Sequence, residues 1–137
     1  MPIEDLARSD AVTADPGTPV ADLAATMEAE NVGSVLITTG ETPVGIVTDR
    51  DLAVRVLGAG LDPAEQTAED VMTEDLCAAE PDAGFHEAAS MMADHGIRRL
   101  PVSDGGTLVG IITADDVTEL LADEHQMLGD IIRAQRP

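Results

Sequence analysis

The sequence contains one pattern of apolar, glycine and acidic residues that occurs twice, 65 residues apart. Residues 45–51 (GIVTDRD) return as residues 110–116 (GIITADD). The same offset relates three further pairs: Pro16 and Pro81, Met27 and Met92, and Ile37 and Val102. A repeat this regular predicts one supersecondary unit used twice, with each copy completing the core of the other. Any site that the unit builds should then occur twice, related by a pseudo-twofold axis.

The apolar pattern within each unit predicts the element order β-α-β-β-α. One helical stripe is formed in the first unit by Val20, Leu23, Ala24 and Met27, and in the second by Phe85, Ala88, Ala89 and Met92. Two apolar runs joined by a glycine-containing turn follow each stripe, which is typical of a β-hairpin. We predict an α/β (α+β) fold of two βαββα repeats, each a three-stranded sheet with packed helices.

The same pattern divides the chain into four parts. Repeat 1 is predicted over residues 5–58, a linker over 59–66, repeat 2 over 67–124 and a C-terminal helical tail over 125–137. Apolar residues in the tail have helical spacing. Packing of the tail on the body is the default expectation, and pairing in a dimer or binding a partner are the alternatives.

The charge of the chain is strongly negative. A net charge of −20 comes from 27 acidic residues and seven cations, all of which are arginine. Such a surface repels itself in dilute buffer, whereas at molar salt the Debye length falls to about 3 Å. We therefore interpret the chain as adapted to a high-salt cytoplasm, as in an extreme halophile, with an acidic mesophilic protein as the alternative. The charge also disfavours nucleic-acid binding, which needs cations to neutralise phosphates.

Cysteine usage and hydropathy favour a cytoplasmic location. Cys77 is the single cysteine, so no intramolecular disulfide can form. The first residues lack the basic and apolar regions of a signal peptide. No apolar run reaches the roughly 18 residues of a spanning helix, so we expect no membrane partner. His86, His95 and His125 lack zinc-ligand spacing relative to Cys77, so we expect no metal.

The motif G-h-h-T-x-x-D (h, apolar) ends each repeat and has two interpretations. Thr48 with Asp51, and Thr113 with Asp116, precede apolar runs predicted to be helical. A threonine and a carboxylate at this spacing can form a capping box, and on the residues alone this interpretation is favoured. A carboxylate can also accept hydrogen bonds from both ribose hydroxyls, at a helix start that favours anions. We expect that one carboxylate cannot fully serve both roles.

The element order and the repeated motif resemble a pair of cystathionine-β-synthase (CBS) domains, called a Bateman module. Three segments are similar to the small stand-alone CBS-pair proteins of prokaryotes: residues 30–37 (ENVGSVLI), 45–52 (GIVTDRDL) and 97–102 (IRRLPV). The resemblance implies an adenosine-containing ligand in one or both clefts between the repeats. On this analogy Thr48 and Asp51 contact the ribose and phosphate in one cleft. Thr113 and Asp116 do so in the other.

Arginines and backbone segments complete the implied site. Arg98 and Arg99, together with Arg50, are candidates for binding a phosphate, with neutralisation of the acidic surface as the alternative. Repeat 1 has Gly33 and Ser34 where repeat 2 has the adjacent arginines, so we expect the two clefts to differ. The further cleft-lining candidates are Val12, Thr13, Gly33, Ser34, Cys77, Ala78, Ile97 and Pro101.

Together these features predict a regulatory or energy-sensing module rather than an enzyme. The ligand would be AMP, ADP, ATP, NAD or S-adenosylmethionine, and no cofactor is required. The resemblance also implies a homodimer formed through helices, with a protein target that the sequence does not name. A ligand-free structural or interaction module is the alternative function. Catalysis is disfavoured because no nucleophile with a plausible base stands out.

Overall fold

The structure, a computed structural model, describes residues 2–74 and 76–136. After a 3₁₀ turn (Ile3–Asp5), repeat 1 contains β1 (Thr13–Ala14), α1 (Val20–Glu30), β2 (Ser34–Thr39), β3 (Thr42–Thr48) and α2 (Asp49–Asp51), which continues as a π-helical segment (Leu52–Leu57). Repeat 2 contains α3 (Ala68–Val71), α4 (Phe85–His95), β4 (Arg99–Asp104), β5 (Thr107–Thr113) and α5 (Ala114–Ala134). The predicted mixed α/β fold of two repeats is confirmed.

The two repeats have the same local structure at the same offset. A shift of 65 residues converts α1, β2 and β3 into α4, β4 and β5. Both hairpins are antiparallel and change register at equivalent places, between residues 37 and 38 and between residues 102 and 103. Gly40 (φ 63°) and Gly105 (φ 59°) turn the hairpins in the left-handed conformation, which glycine adopts without steric cost.

The two sheets differ in their third strand. In repeat 1, β1 pairs in parallel with β2, and Leu36 N–H donates to Val12 O at 2.9 Å. Within the part of repeat 2 that the structure describes, the sheet contains β4 and β5, and Ala79 makes an isolated parallel bridge to Val102. Pro101 takes the position of Leu36 and has no N–H to donate. The predicted third strand is thus present in repeat 1 and reduced to one bridge in repeat 2.

Each repeat completes the core of the other with its first segment. Ile3, from the start of the chain, is fully buried in the repeat 2 core with Leu100 and Ile112. Ala68 and Val71, from the start of repeat 2, are buried in the repeat 1 core. The prediction that the copies complete each other is confirmed. Because neither core closes without the segment of the other repeat, the pair forms one packed unit.

The exchanged segments are joined to the hairpins by backbone hydrogen bonds. Arg8 and Ile111 exchange two N–H···O bonds of 2.9 and 3.0 Å. Thr73 and Ile46, at the equivalent positions of the other crossing, exchange bonds of 2.9 and 3.1 Å. The segment around Arg8 therefore lies beside β5 of repeat 2, and the segment around Thr73 lies beside β3 of repeat 1.

Two glycines of the repeated motif allow these crossings. A Cβ atom on Gly110 would lie 2.8 Å from the carbonyl oxygen of Arg8. A Cβ atom on Gly45 would overlap the side chain of Met72. Close approach of another segment, rather than a turn, therefore explains glycine at both positions.

Helix α5 extends well beyond the sheet of repeat 2. Its 21 residues run to Ala134 without a break and include most of the predicted tail. Leu121, Leu128 and Ile132 are between 53% and 64% exposed. The expectation that the tail packs on the body is therefore wrong for the single chain.

We expect Gly110→Ala to destabilise the protein by about 1–3 kcal/mol, because the added methyl group meets a backbone oxygen held in the crossing. Gly17→Ala is the matched control, since nothing lies within 4 Å of a Cβ atom built at Gly17. Chemical denaturation of the wild type and both variants gives the comparison. Equal midpoints for the wild type and Gly110→Ala would contradict the close approach at this crossing.

Candidate functional site

Both helix starts that follow the hairpins contain a complete capping box. Thr48 N–H donates to Asp51 Oδ2 at 2.9 Å, and Asp51 N–H donates to Thr48 Oγ1 at 3.2 Å. Thr113 and Asp116 make the same two bonds at 2.9 and 3.2 Å. The structure thus contains the capping arrangement at both copies of the motif. Each cap uses Oδ2 of the carboxylate, which leaves Oδ1 for a further partner.

The second oxygen of Asp116 is bonded to an arginine from the first segment of the chain. Arg8 donates to Asp116 Oδ1 from Nη2 at 2.8 Å and from Nε at 3.2 Å. The side chain of Asp116 is 9% exposed, whereas that of Arg8 is 62% exposed. A charge-assisted pair of this kind satisfies a carboxylate that burial would otherwise disfavour.

Asp51, the equivalent carboxylate of repeat 1, has a different cationic neighbour. Its Oδ1 lies 3.8 Å from Nε of Arg55, one helical turn later. This distance makes an ion pair but is too long for a hydrogen bond. Arg55 instead donates from Nη1 to the carbonyl oxygen of Val71 at 2.9 Å. The two carboxylates therefore share the cap and differ in the partner of Oδ1.

A third threonine–aspartate pair lies at the start of α3, at the surface. Thr67 donates to Asp70 Oδ2 from its backbone N–H at 2.9 Å and from its hydroxyl at 3.0 Å. The hydrogen bond from the backbone N–H of Thr67, and to a smaller extent the bond from its hydroxyl, lower the pKa of the Asp70 carboxyl below its usual value. The pair lies outside the lining of the clefts described below.

A cleft of about 470 Å³ lies between the repeats beside Thr113, and we call it the Thr113 cleft. Both repeats line it, together with the segment around Arg8 that crosses to repeat 2. The lining residues are Arg8, Asp10, Ala11, Val12, Glu30, Asn31, Val32, Gly33, Ser34, Leu36, Arg98, Arg99, Ile111, Thr113, Ala114 and Asp115. Clefts of this volume are typical of small-molecule sites. Because both repeats contribute, the cleft requires the assembled pair.

Six of the predicted site residues line the Thr113 cleft: Val12, Gly33, Ser34, Arg98, Arg99 and Thr113. Arg99 lies against Gly33, since its Nη2 atom is 2.9 Å from the position of a Cβ atom on that glycine. Arg98 Nη2 lies 3.4 Å from Asp115 Oδ1, in a pair that is largely exposed. The structure thus brings the two adjacent arginines into one cleft with the start of α5.

The predicted residues of the first motif lie outside the lining of this cleft. Thr48 and Asp51 form the cap of α2, and Arg50 between them is exposed. Thr13 lines a smaller cavity of about 230 Å³ with Thr38 and other residues near the hairpin turns.

The remaining predicted residues lie at or near the core of repeat 2. Pro101 is fully buried, while Cys77 and Ile97 are partly buried against the core. Ala78 is exposed, and Asp116 lies behind the cleft surface with its carboxylate bonded to Arg8. None of these five is among the residues that line the Thr113 cleft.

The sequence analysis missed Arg8, which lines the cleft and bonds Asp116. One signal was available, because the 65-residue offset pairs Arg8 with Thr73 and so marks a cation present in one copy only. Asp115 and Asn31 also line the cleft, although the sequence analysis does not predict them as site residues. Their role is visible only when the two repeats are placed together.

Neither a metal centre nor a spanning helix is found among residues 2–74 and 76–136. Over these ranges, no three histidine, cysteine, aspartate or glutamate side chains lie close enough together to hold a metal ion. Over the same ranges, no helix is both long and apolar enough to cross a membrane.

Two similar α/β repeats that exchange their first segments and enclose a cleft define a tandem pair of small domains. The family model of the CBS domain matches residues 3–58 and 68–123. The chain therefore belongs to the CBS-domain family, as a tandem CBS pair.

Similar proteins share this pair in different contexts. MK0525, an uncharacterized protein of Methanopyrus kandleri, is 38% identical over 120 residues, which cover 86% of this chain and 61% of that protein. The CBS pair of protein MJ0100, solved in complex with 5′-methylthioadenosine and S-adenosyl-L-methionine, matches with a TM-score of 0.82 at 25% identity, over 90% of this chain and 98% of that one. A hexameric CBS-CP12 protein from bloom-forming cyanobacteria matches with a TM-score of 0.78 at 28% identity, over 86% and 66% of the two chains.

Proposed function

We propose that this CBS pair is a non-catalytic regulatory or energy-sensing module that binds an adenosine-containing ligand in the Thr113 cleft. The observation that carries the proposal is the convergence of three arginines and the start of a long helix in one cleft between the repeats. The ligand classes considered are AMP, ADP, ATP, NAD and S-adenosylmethionine. No cofactor is needed for this function.

The chemistry of the cleft suits both ends of such a ligand. Arg98 and Arg99 offer planar guanidinium groups that bind phosphate or carboxylate oxygens in pairs. The dipole of α5 favours an anion beside Thr113, while Ala114 N–H and Asp116 N–H already donate to Arg98 O at 2.8 Å and to Thr113 Oγ1 at 3.2 Å. Asp116, which is hydrogen-bonded to the lining residues Arg8 and Thr113, is the carboxylate able to accept ribose hydroxyls once Arg8 moves. The related pair of MJ0100 was solved with two adenosine compounds, which supports the same ligand class here.

We expect titration calorimetry with the five ligand classes, each tested alone, to give saturable binding for at least one. Asp116→Ala should then weaken that binding by at least about tenfold, because it removes the acceptor of charge-assisted hydrogen bonds. Asp51→Ala is the matched control, since it removes the same cap from the other repeat. It should lose stability in a similar way, by about 1 kcal/mol, and keep the affinity.

The opposite result supports the alternative function. If the wild type binds none of the ligands, and both variants are merely less stable, the motif acts only as a helix cap. The pair is then a ligand-free structural or interaction module. Loss of binding in Asp51→Ala alone would instead move the ligand to the cleft of the first motif.

We also propose that the protein is a homodimer in which α5 pairs with α5 of a second copy. Leu121, Leu128 and Ile132 share one face of this helix at 7- and 4-residue spacing and are more than half exposed. The hexameric CBS-CP12 relative supports self-association within the family.

We expect Leu128→Gln to weaken dimerisation, because it places a polar group in the centre of the paired face without changing the charge. Leu57→Gln is the control, since Leu57 is 80% exposed on a different helical segment. Sedimentation equilibrium over a range of concentrations measures both. A dimer that survives Leu128→Gln but dissociates in Leu57→Gln would place the interface on residues 52–57 instead.

Finally, we propose that the chain is adapted to high salt. Seven arginines can pair with at most a small part of the 27 acidic residues, so most carboxylates repel one another. The thermal unfolding midpoint should therefore rise from low salt to about 2 M KCl, where this repulsion is screened. Sucrose is the control, because it stabilises by exclusion from the surface without screening charge. A midpoint that does not respond to KCl would contradict this adaptation.

A further inference from the structure

Arg8 has a fixed position at the edge of the Thr113 cleft. Its backbone exchanges two hydrogen bonds with Ile111, of 2.9 and 3.0 Å. Ile111 stands two residues before Thr113 on the same strand, so the crossing places the Arg8 side chain beside the start of α5. The backbone is therefore held, while the side chain is 62% exposed and has room to turn.

Arg8 occupies the part of Asp116 that a ribose would need. Asp116 Oδ2 accepts from Thr113 N–H, and Oδ1 accepts from both Nε and Nη2 of Arg8. A carboxylate has about four acceptor positions, of which three are used by these bonds. Two ribose hydroxyls cannot both donate to Asp116 until the guanidinium of Arg8 moves away.

Movement of Arg8 has different consequences for different ligands. The released guanidinium faces a cleft that Arg98 and Arg99 also line, and three of the seven arginines of the chain thus meet here. With a phosphate in the cleft, Arg8 exchanges one anionic partner for another. With an uncharged ligand such as adenosine it loses its anionic partner and gains none.

The other copy of the motif lacks this arrangement. Thr73 has the position of Arg8 in the second crossing and makes the equivalent backbone bonds to Ile46. The ion-pair neighbour of Asp51 is Arg55, at 3.8 Å and without a hydrogen bond. The arginine contact is therefore a property of one cleft and not of the repeated unit.

We propose that Arg8 is a specificity residue, which selects a phosphorylated adenosine ligand by exchanging the Asp116 carboxylate for a phosphate. The proposal rests on the proposed function of the Thr113 cleft and deepens it. It assigns the nucleotides AMP, ADP, ATP and NAD to this cleft. Adenosine, which carries no anionic group, binds more weakly.

The test measures the affinities of AMP and adenosine for the wild type and Arg8→Gln by titration calorimetry. The wild type should prefer AMP, and Arg8→Gln should reduce the ratio of the two affinities by at least about tenfold. Part of this change should be tighter binding of adenosine, because Asp116 is no longer occupied. A purely structural role for Arg8 would weaken both ligands together and leave the ratio unchanged.

Arg133→Gln is the matched control, since it removes the same charge from an exposed pair on α5 and should keep the wild-type ratio. Arg8→Lys provides a second variant in case Arg8→Gln fails to fold, and its single ammonium should lower the preference for AMP to an intermediate value. An unchanged ratio in a folded Arg8 variant overturns the role of Arg8 while the proposed function stands. Failure of the wild type to bind any of the adenosine-containing ligands overturns both.

Discussion

The exchange of first segments between the repeats is the interaction on which the rest of the structure depends. A single βαββα unit leaves part of its core open, and Ile3 and Ala68, equivalent residues of the two copies, fill the opening in the opposite repeat. The crossings require close backbone approach, which Gly45 and Gly110 allow. Because Arg8 pairs with Ile111 on the strand that leads into the second motif, this crossing also brings the Arg8 side chain to the Thr113 cleft.

The surroundings of the two motifs differ because the crossing segments differ more than the motif does. Thr48 with Asp51 and Thr113 with Asp116 make the same cap with the same bond lengths. Arg8 then distinguishes one carboxylate from the other, because the equivalent position is a threonine. The repeated signature thus supplies a common helix start, while the charge around it depends on residues outside it.

The sequence predicted those features that depend on local structure. Residues close together in the chain determine the apolar stripes of the helices, the hairpins with their glycine turns, and both caps. Each of these features occurs in both repeats at the 65-residue offset. Within the described residues, the reduction of the third strand of repeat 2 to one bridge was also predictable, because Pro101 cannot donate where Leu36 does. The Arg8–Asp116 contact was not, because it joins residues 108 positions apart and exists only after the segments cross. Similarly, exposure of Leu128 depends on where α5 leaves the body, which its apolar spacing does not reveal.

The sequence predicts that capping and ligand binding compete for one carboxylate, but the cap uses one of its two oxygens. The cap takes one oxygen, Oδ2, and holds the carboxylate in a fixed orientation at the helix start. Oδ1 remains directed at a second partner, which is Arg8 in one copy and the more distant Arg55 in the other. A fixed acceptor loses little conformational freedom when a ligand binds. The cap therefore favours recognition, since it orients the oxygen that recognition would use.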